Sequence, residues 1–443
     1  MRRLISLLRT SGVFVVLVAL YAAVRFWAVL DRSPARFPDS LGYQTVRFFG
    51  VNERLWAIPF LYSLVHGDPQ RVVQQIVIGI VAWAYLAWIL STLSIIRVPI
   101  AMAVLLVGLT PQVIRYDLAM LSESLGISLA VFAVAATIHM QRNKSRTLRV
   151  AWFVSIVLVG FTRPMHLVLI FLLAGYYVGT YLLSGRRRRK AAAITFGILS
   201  VWAVMQLRGN QSESTLNFYT VLQRRICADT QQHAWFVAHG MPDVSGLCDA
   251  RGYAYAFEMK NTVGEILQLP QGQQPLKSMV VGDVEMATWV RHHGWSTYTQ
   301  FVISHPHVVF SVLRHHVSDT LDPPSQRFLP TDSRTLLPHQ VLNPWWLWAT
   351  VAVLGLGVTL FTHRDRGLIR TLGACTALVF IVYVGSLLAS AVEPERHAAT
   401  SAVMLRVLTL SFLAAATRTK GPRALDESSD ALSASSSRGT SRT

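Results

Sequence analysis

Charge is scarce in this 443-residue chain, and acidic charge scarcest: 23 Asp and Glu stand against 41 Lys and Arg, and charged residues together make up 14%. A water-facing surface carries about 25%, so this composition excludes an ordinary soluble globular enzyme. Cysteine is nearly absent, with three residues and no CxxC, and no HExxH occurs, which removes the common zinc signatures. No small-residue cleavage site follows residues 29–30, so the basic, apolar N-terminus reads as a first membrane span and not as a removed leader.

What the chain does have is long apolar runs: 52% of residues are hydrophobic and the mean hydropathy is +0.40. The net charge of +18 invites a nucleic-acid partner, but the positions exclude one. Lys and Arg gather in short clusters between apolar runs, at Arg2, Arg3 and Arg9, at 142–149, 186–190 and 364–370, and at Arg418, Lys420 and Arg423. Such clusters mark cytoplasmic loops. The predicted fold is therefore all-α and polytopic, with about ten transmembrane helices and both termini cytoplasmic. A helix needs about 20 apolar residues to cross. The expected spans are 11–30, 72–96, 98–113, 120–140, a pair turning at Arg163-Pro164, 191–207, 345–362, 372–391 and 399–416. In domain terms, 1–207 holds seven helices with an outer first loop at 31–71, and 208–343 is an extracytoplasmic soluble region. Residues 344–416 hold three further helices, and 417–443 is a Ser-rich, disordered cytoplasmic tail. One feature opposes this scheme: the first outer loop carries Arg32, Arg36, Arg47, Arg54 and Arg71, where outer loops should be poor in arginine. Lipid headgroups or a phosphorylated substrate would account for them.

Cys227 and Cys248 both fall in the outer region, which points to a disulfide. The same region has a helical pattern over 283–303, and Ser304 is placed as the N-cap of a following helix. Its histidines, among them His315 sharing a face with Asp319, lack a metal motif and read as solvated or capping residues. Asn210-Gln211-Ser212 fits a glycosylation sequon.

Four short signatures sit on the outer face. Phe37-Pro38-Asp39-Ser40-Leu41-Gly42-Tyr43 follows the first span. Tyr116-Asp117 and Leu121-Ser122-Glu123-Ser124-Leu125 open the fourth. Thr162-Arg163-Pro164-Met165-His166 opens the sixth, and Glu393-Pro394-Glu395-Arg396-His397 opens the tenth. Together they place carboxylates and arginines at one membrane face, which suits a phosphate-bearing substrate presented from the bilayer. Each has a plainer reading: Asp39 as a turn residue or the cap of a helix over 41–49, Glu123 as charge at a helix N-terminus, Arg163 and Arg396 as snorkelling to headgroups. Arg25 is explained by snorkelling. Arg406, deep in the last span, needs a cavity or a partner.

The order of these signatures resembles the GT-C superfamily of integral-membrane glycosyltransferases, in particular the branch of protein O-mannosyltransferases and aminoarabinose transferases. The resemblance covers 1–207 and 345–416 and leaves out the outer region. It implies Asp39 as the catalytic carboxylate. It implies Tyr43, Asp117, Glu123, Arg163, His166, Glu393, Glu395, Arg396 and His397 as substrate- or phosphate-binding residues. The family's late motif usually has tyrosine where His397 stands. The first loop has one acidic residue instead of an adjacent pair, and a divalent metal is left open. The implied reaction takes place on the outer face of the cytoplasmic membrane. A hexosyl or pentosyl group moves, with inversion, from a polyprenyl-phosphate donor to an acceptor hydroxyl on a glycan, lipid or protein. A transporter or flippase of a lipid-linked intermediate is the alternative, and a membrane scaffold a third.

Overall fold

A computed structural model describes residues 2–52, 54–143, 145–185, 187–244, 248, 284–321, 333–338, 342, 344–362, 366–391 and 394–417. Glu393 and the tail beyond 417 lie outside the described residues. No strand occurs among those described; Ala35 and Ala119 form an isolated parallel bridge. The helices are α1 (Arg2–Val29), α2 (Ala57–Ser63), α3 (Asp68–Leu93), α4 (Arg97–Gly108), α5 (Pro111–Ile114), α6 (Glu123–Arg142), α7 (Arg146–Gly160), α8 (Leu167–Ser184), α9 (Arg187–Gly209), α10 (Gln211–Val221) and α11 (Thr230–Ala238). They continue as α12 (Val284–Trp289), α13 (Trp295–Ser304), α14 (Pro306–Leu321), α15 (Trp345–Thr362), α16 (Arg366–Ala389), α17 (Pro394–His397) and α18 (Ala399–Ala416).

Among the described residues, seven helices are long and apolar enough to cross a membrane, so this is an all-α, multi-pass membrane protein. An eighth crossing results when α4 and the 111–118 segment, bent by 48°, count as one. Pro111 lacks an amide hydrogen and begins a new helical turn there, which accounts for the bend. The other two expected spans are helices too short to cross unaided: α7 has 15 residues, and the apolar part of α15 ends at Val358. Local signals set the remaining ends. Ser145 accepts the Leu148 amide at 3.2 Å and starts α7, and Gly185, with φ of +62°, stops α8. The break predicted at Arg163-Pro164 is present, with α7 ending at Gly160 and a 3₁₀ turn over Pro164–His166 leading into α8.

Lipid tails are as apolar as leucine, so close packing and polar contacts hold such a bundle together. The core lies where α3, α4, α6 and α18 meet, around Trp83, Leu86, Ile127, Val131, Val403 and Val407. Arg25 departs from its snorkelling explanation: it is fully buried and paired with fully buried Asp117, its Nε donating to Oδ2 at 3.0 Å. Ser124 donates to Asp117 at 2.7 Å, and Arg25 Nη1 donates to the Tyr21 hydroxyl at 3.1 Å. Water cannot solvate a guanidinium there, so a partner is required. The space comes from Gly79, where a Cβ would lie 2.1 Å from Arg25 Nη1. Arg406 donates to the Leu321 carbonyl and lies over Trp348, 5.9 Å from the ring centroid.

The described part of the outer region is a helical cap whose core is shared with the membrane helices. Phe218, Phe236, Trp289 and Tyr298 pack with Tyr383 and Leu387 of α16 and with Ala398. Arg225 fastens the cap. Its guanidinium donates to the carbonyls of Leu388 (2.9 Å), Leu387 (3.0 Å) and Ser390 (3.3 Å) and to the Tyr298 hydroxyl (2.9 Å). These are the orphan carbonyls at the C-terminal end of α16, where a cation is favoured. Cys227 and Cys248 form the expected disulfide. Ser304 is not an N-cap: it ends α13, its hydroxyl bonding back to Gln300 O at 2.9 Å, and Pro306 opens α14. Of the 283–303 pattern, the described part from Val284 on is helical with one wide turn, Val290–Gly294, between α12 and α13.

Candidate active site

Chain tethering brings the first loop to the start of α6. Ala35 N donates to Leu118 O at 2.9 Å, and Met120 N donates to Ala35 O at 3.0 Å. Two residues further on, the Phe37 amide donates to Ser40 Oγ at 2.8 Å and closes a 3₁₀ turn, Pro38–Tyr43. No helix forms over 41–49, and Ser40, not Asp39, makes the turn's capping bond. The Asp39 carboxylate is thereby released to pair with arginines.

Glu123, in the first turn of α6, is fully buried. Arg163 Nη2 pairs with its Oε1, and Arg396 Nε reaches the same oxygen at 2.7 Å. Arg396 Nη2 continues to Asp39 Oδ2, while Arg54 Nη2 holds Asp39 Oδ1 at 2.7 Å. Arg163 Nε donates to Ser122 Oγ at 3.0 Å, and its Nη1 to the carbonyls of His397 (3.3 Å) and Arg396 (3.4 Å). The first loop, the end of α7 and the entry to α18 thus share one ion network, and neither arginine reaches away to headgroups. Burial, reinforced by Arg163 and Arg396, holds the His397 imidazole down at about 3, so it is neutral. Burial raises the Tyr43 phenol, whose ring also receives the Arg54 guanidinium at 5.3 Å.

The network borders a cavity of about 360 Å³. Arg54, Arg163, Arg396, His397, Tyr43 and Ser122 line it on behalf of these elements. Asp39 does not line it, although both its guanidinium partners do; its side chain is 26% exposed. Further lining comes from the cap and the end of α16: Asn210, Ser214, Asn217, Trp295, Ser386 and Ser390.

Not every predicted residue gathers here. Asp117 is committed to Arg25 in the bundle. His166 bonds Thr162 Oγ1 at 2.6 Å and lines a different, apolar cavity between α6, α7 and α16. Glu395 lies in α17 and does not line the cavity. Asn210 is 3% exposed and bonds the Asn52 carbonyl at 3.4 Å, a placement unsuited to carrying a glycan. Four of the five first-loop arginines have partners inside the protein: Arg54 holds Asp39, Arg36 and Arg71 both hold Asp68, Arg71 at 3.1 Å, and Arg47 donates to Val51 O at 2.8 Å. Arg54 was legible only as one of these unexplained arginines. The cap residues carried no sequence signal beyond the helical spacing of 210, 214 and 217.

Cys227, His233 and Cys248 are close enough to hold a metal ion between them, but both sulfurs are spent in the disulfide. No family model and no curated protein matches the sequence. Among solved structures, the archaeal oligosaccharyltransferase AglB from Archaeoglobus fulgidus, in complex with an inhibitory peptide and a dolichol-phosphate, is similar with a TM-score of 0.39 and 13% identity. The match covers 97% of this chain and 52% of that one, so the chain spans about half the length of this neighbour.

Proposed function

We propose that the protein is a GT-C-like glycosyltransferase of the cytoplasmic membrane, of the O-mannosyl and aminoarabinose type, working on the extracytoplasmic face. The observation that carries this reading is the joining of Arg54, Arg163 and Arg396 to Asp39 and Glu123 at the rim of one cavity, next to the ends of membrane helices. Three guanidiniums against two carboxylates leave an excess of positive charge, which suits the phosphate of a lipid-linked sugar.

In this reading Arg163 and Arg396 take the donor phosphate. Its arrival draws Arg396 from Asp39 and frees a carboxylate oxygen. Asp39 then accepts the proton of the acceptor hydroxyl as that oxygen bonds to the anomeric carbon. The bond from that carbon to the phosphate oxygen breaks, and its electron pair leaves on polyprenyl phosphate. The leaving group gains one negative charge, which the guanidiniums stabilise without a general acid. Attack from the face opposite the leaving group inverts the centre. Glu123 holds the two arginines next to each other through one shared oxygen. The donor set favours an anion over a divalent cation, because the carboxylates that would bind a metal face guanidiniums.

Asp39→Asn in native membranes, given a labelled polyprenyl-phosphate sugar, should lose transfer while keeping donor binding. Undiminished transfer would reject Asp39 as the base. Lipid flipping that survives the change while transfer was never present in the unaltered protein would favour the transporter.

A further inference from the structure

The cavity lining divides by element, and the division specifies what enters. Every charged group comes from the first loop, the α7–α8 turn or α17: Arg54, Arg163 and Arg396. The cap and the end of α16 supply neutral hydrogen-bonding groups and one indole. Asn210, Ser214 and Asn217 stand at i, i+4 and i+7, one face of α10. Trp295 Nε1 donates to Ser214 O at 3.2 Å, which fixes the indole against that face. Ser386 and Ser390, 5% and 4% exposed, complete the wall from α16, and Arg225 holds that helix end in place. Ser214 and Asn217 are half-buried in this wall and line the cavity.

Amides and hydroxyls beside an indole match a sugar ring, whose hydroxyls need paired donors and acceptors and whose C–H face packs on an aromatic plane. An ammonium on that ring would need a carboxylate, and both carboxylates of the site face arginines. We infer that the α10 face, Trp295, Ser386 and Ser390 form a subsite for an uncharged sugar ring, supplied either by the donor or by the acceptor. The inference deepens the transferase reading and rests on it for the phosphate half of the cavity.

The test uses the full chain in nanodiscs. The probes are bare polyprenyl phosphate, the same lipid carrying mannose, the same lipid carrying 4-amino-4-deoxyarabinose, and free methyl mannoside. The variants are Asn217→Ala and Ser214→Val, with Asn217→Gln as the conservative control and bare-lipid binding as the check of folding. If the ring belongs to the donor, the two variants bind bare lipid within about twofold of the unaltered protein and the mannosyl lipid about tenfold more weakly, the loss expected for one or two hydrogen bonds. If it belongs to the acceptor, both lipids bind normally and KM for methyl mannoside rises by about the same factor. Unchanged values on both sides, or tighter binding of the amino-sugar lipid than of the mannosyl lipid, would overturn the subsite. A protein that binds methyl mannoside through Asn217 but no polyprenyl phosphate would keep the subsite and sink the transferase reading.

Discussion

Arg396 meets Glu123 through Nε at 2.7 Å while its terminal nitrogen holds Asp39, so one guanidinium spans two carboxylates from distant parts of the chain. That geometry needs the planar fork of arginine, which lysine does not have. Arg396→Lys keeps the charge and should still lower kcat/KM by about 10²-fold, the scale of a lost transition-state donor. Donor titration beside a transfer assay checks it; activity within threefold of the unaltered protein would remove Arg396 from the reaction.

The Arg25–Asp117 pair is a stability element. Removing one partner leaves a buried charge alone, a loss of about 3–5 kcal/mol. Arg25→Met should therefore lower Tm in detergent sharply, and Arg25→Met with Asp117→Leu should recover much of it. A double variant no better than the worse single one would contradict this pairing.

Arg225 ties the cap to α16, and hydrogen bonds from a charged donor contribute about 1.5–3 kcal/mol. Arg225→Ala should loosen the cap over the cavity without unfolding the bundle. Faster proteolysis around residues 240–248, with the membrane helices still protected, is the expected result. KM should rise while binding of bare polyprenyl phosphate changes little.

His397 gives a pH signature. Its folded value of about 3 lies below the ordinary 6.5. Between the two, the unfolded chain takes up a proton that the folded site refuses, so stability falls as pH drops from 6.5 toward 3. His397→Gln should flatten the acid side of a Tm-versus-pH curve across that window. A curve that keeps its slope would locate the titration elsewhere.

The membrane helices were readable from sequence because hydropathy and the Arg163-Pro164 break are local signals. Asp39, Glu123, Arg163 and Arg396 stood out because a charged residue next to an apolar run is conspicuous. What stayed hidden depends on contacts between distant segments. Arg225 is one basic residue among several until the end of α16 lies under it. Arg25 looked like an interfacial anchor because its partner, Asp117, lies 92 positions away and meets it only once the chain has folded. The Asn210, Ser214 and Asn217 face was invisible as chemistry, since a neutral polar helix face normally just meets water.

Asp39 and Glu123, which do not line the cavity, already act as counter-ions to the three arginines that do. On the transferase reading, an anion entering must therefore evict a tethered competitor, and a spent one is displaced when that competitor returns. Such a site grips its ligand less tightly than bare arginines would and resets itself after each departure. Fast turnover and sensitivity to salt are the traits to look for in its kinetics.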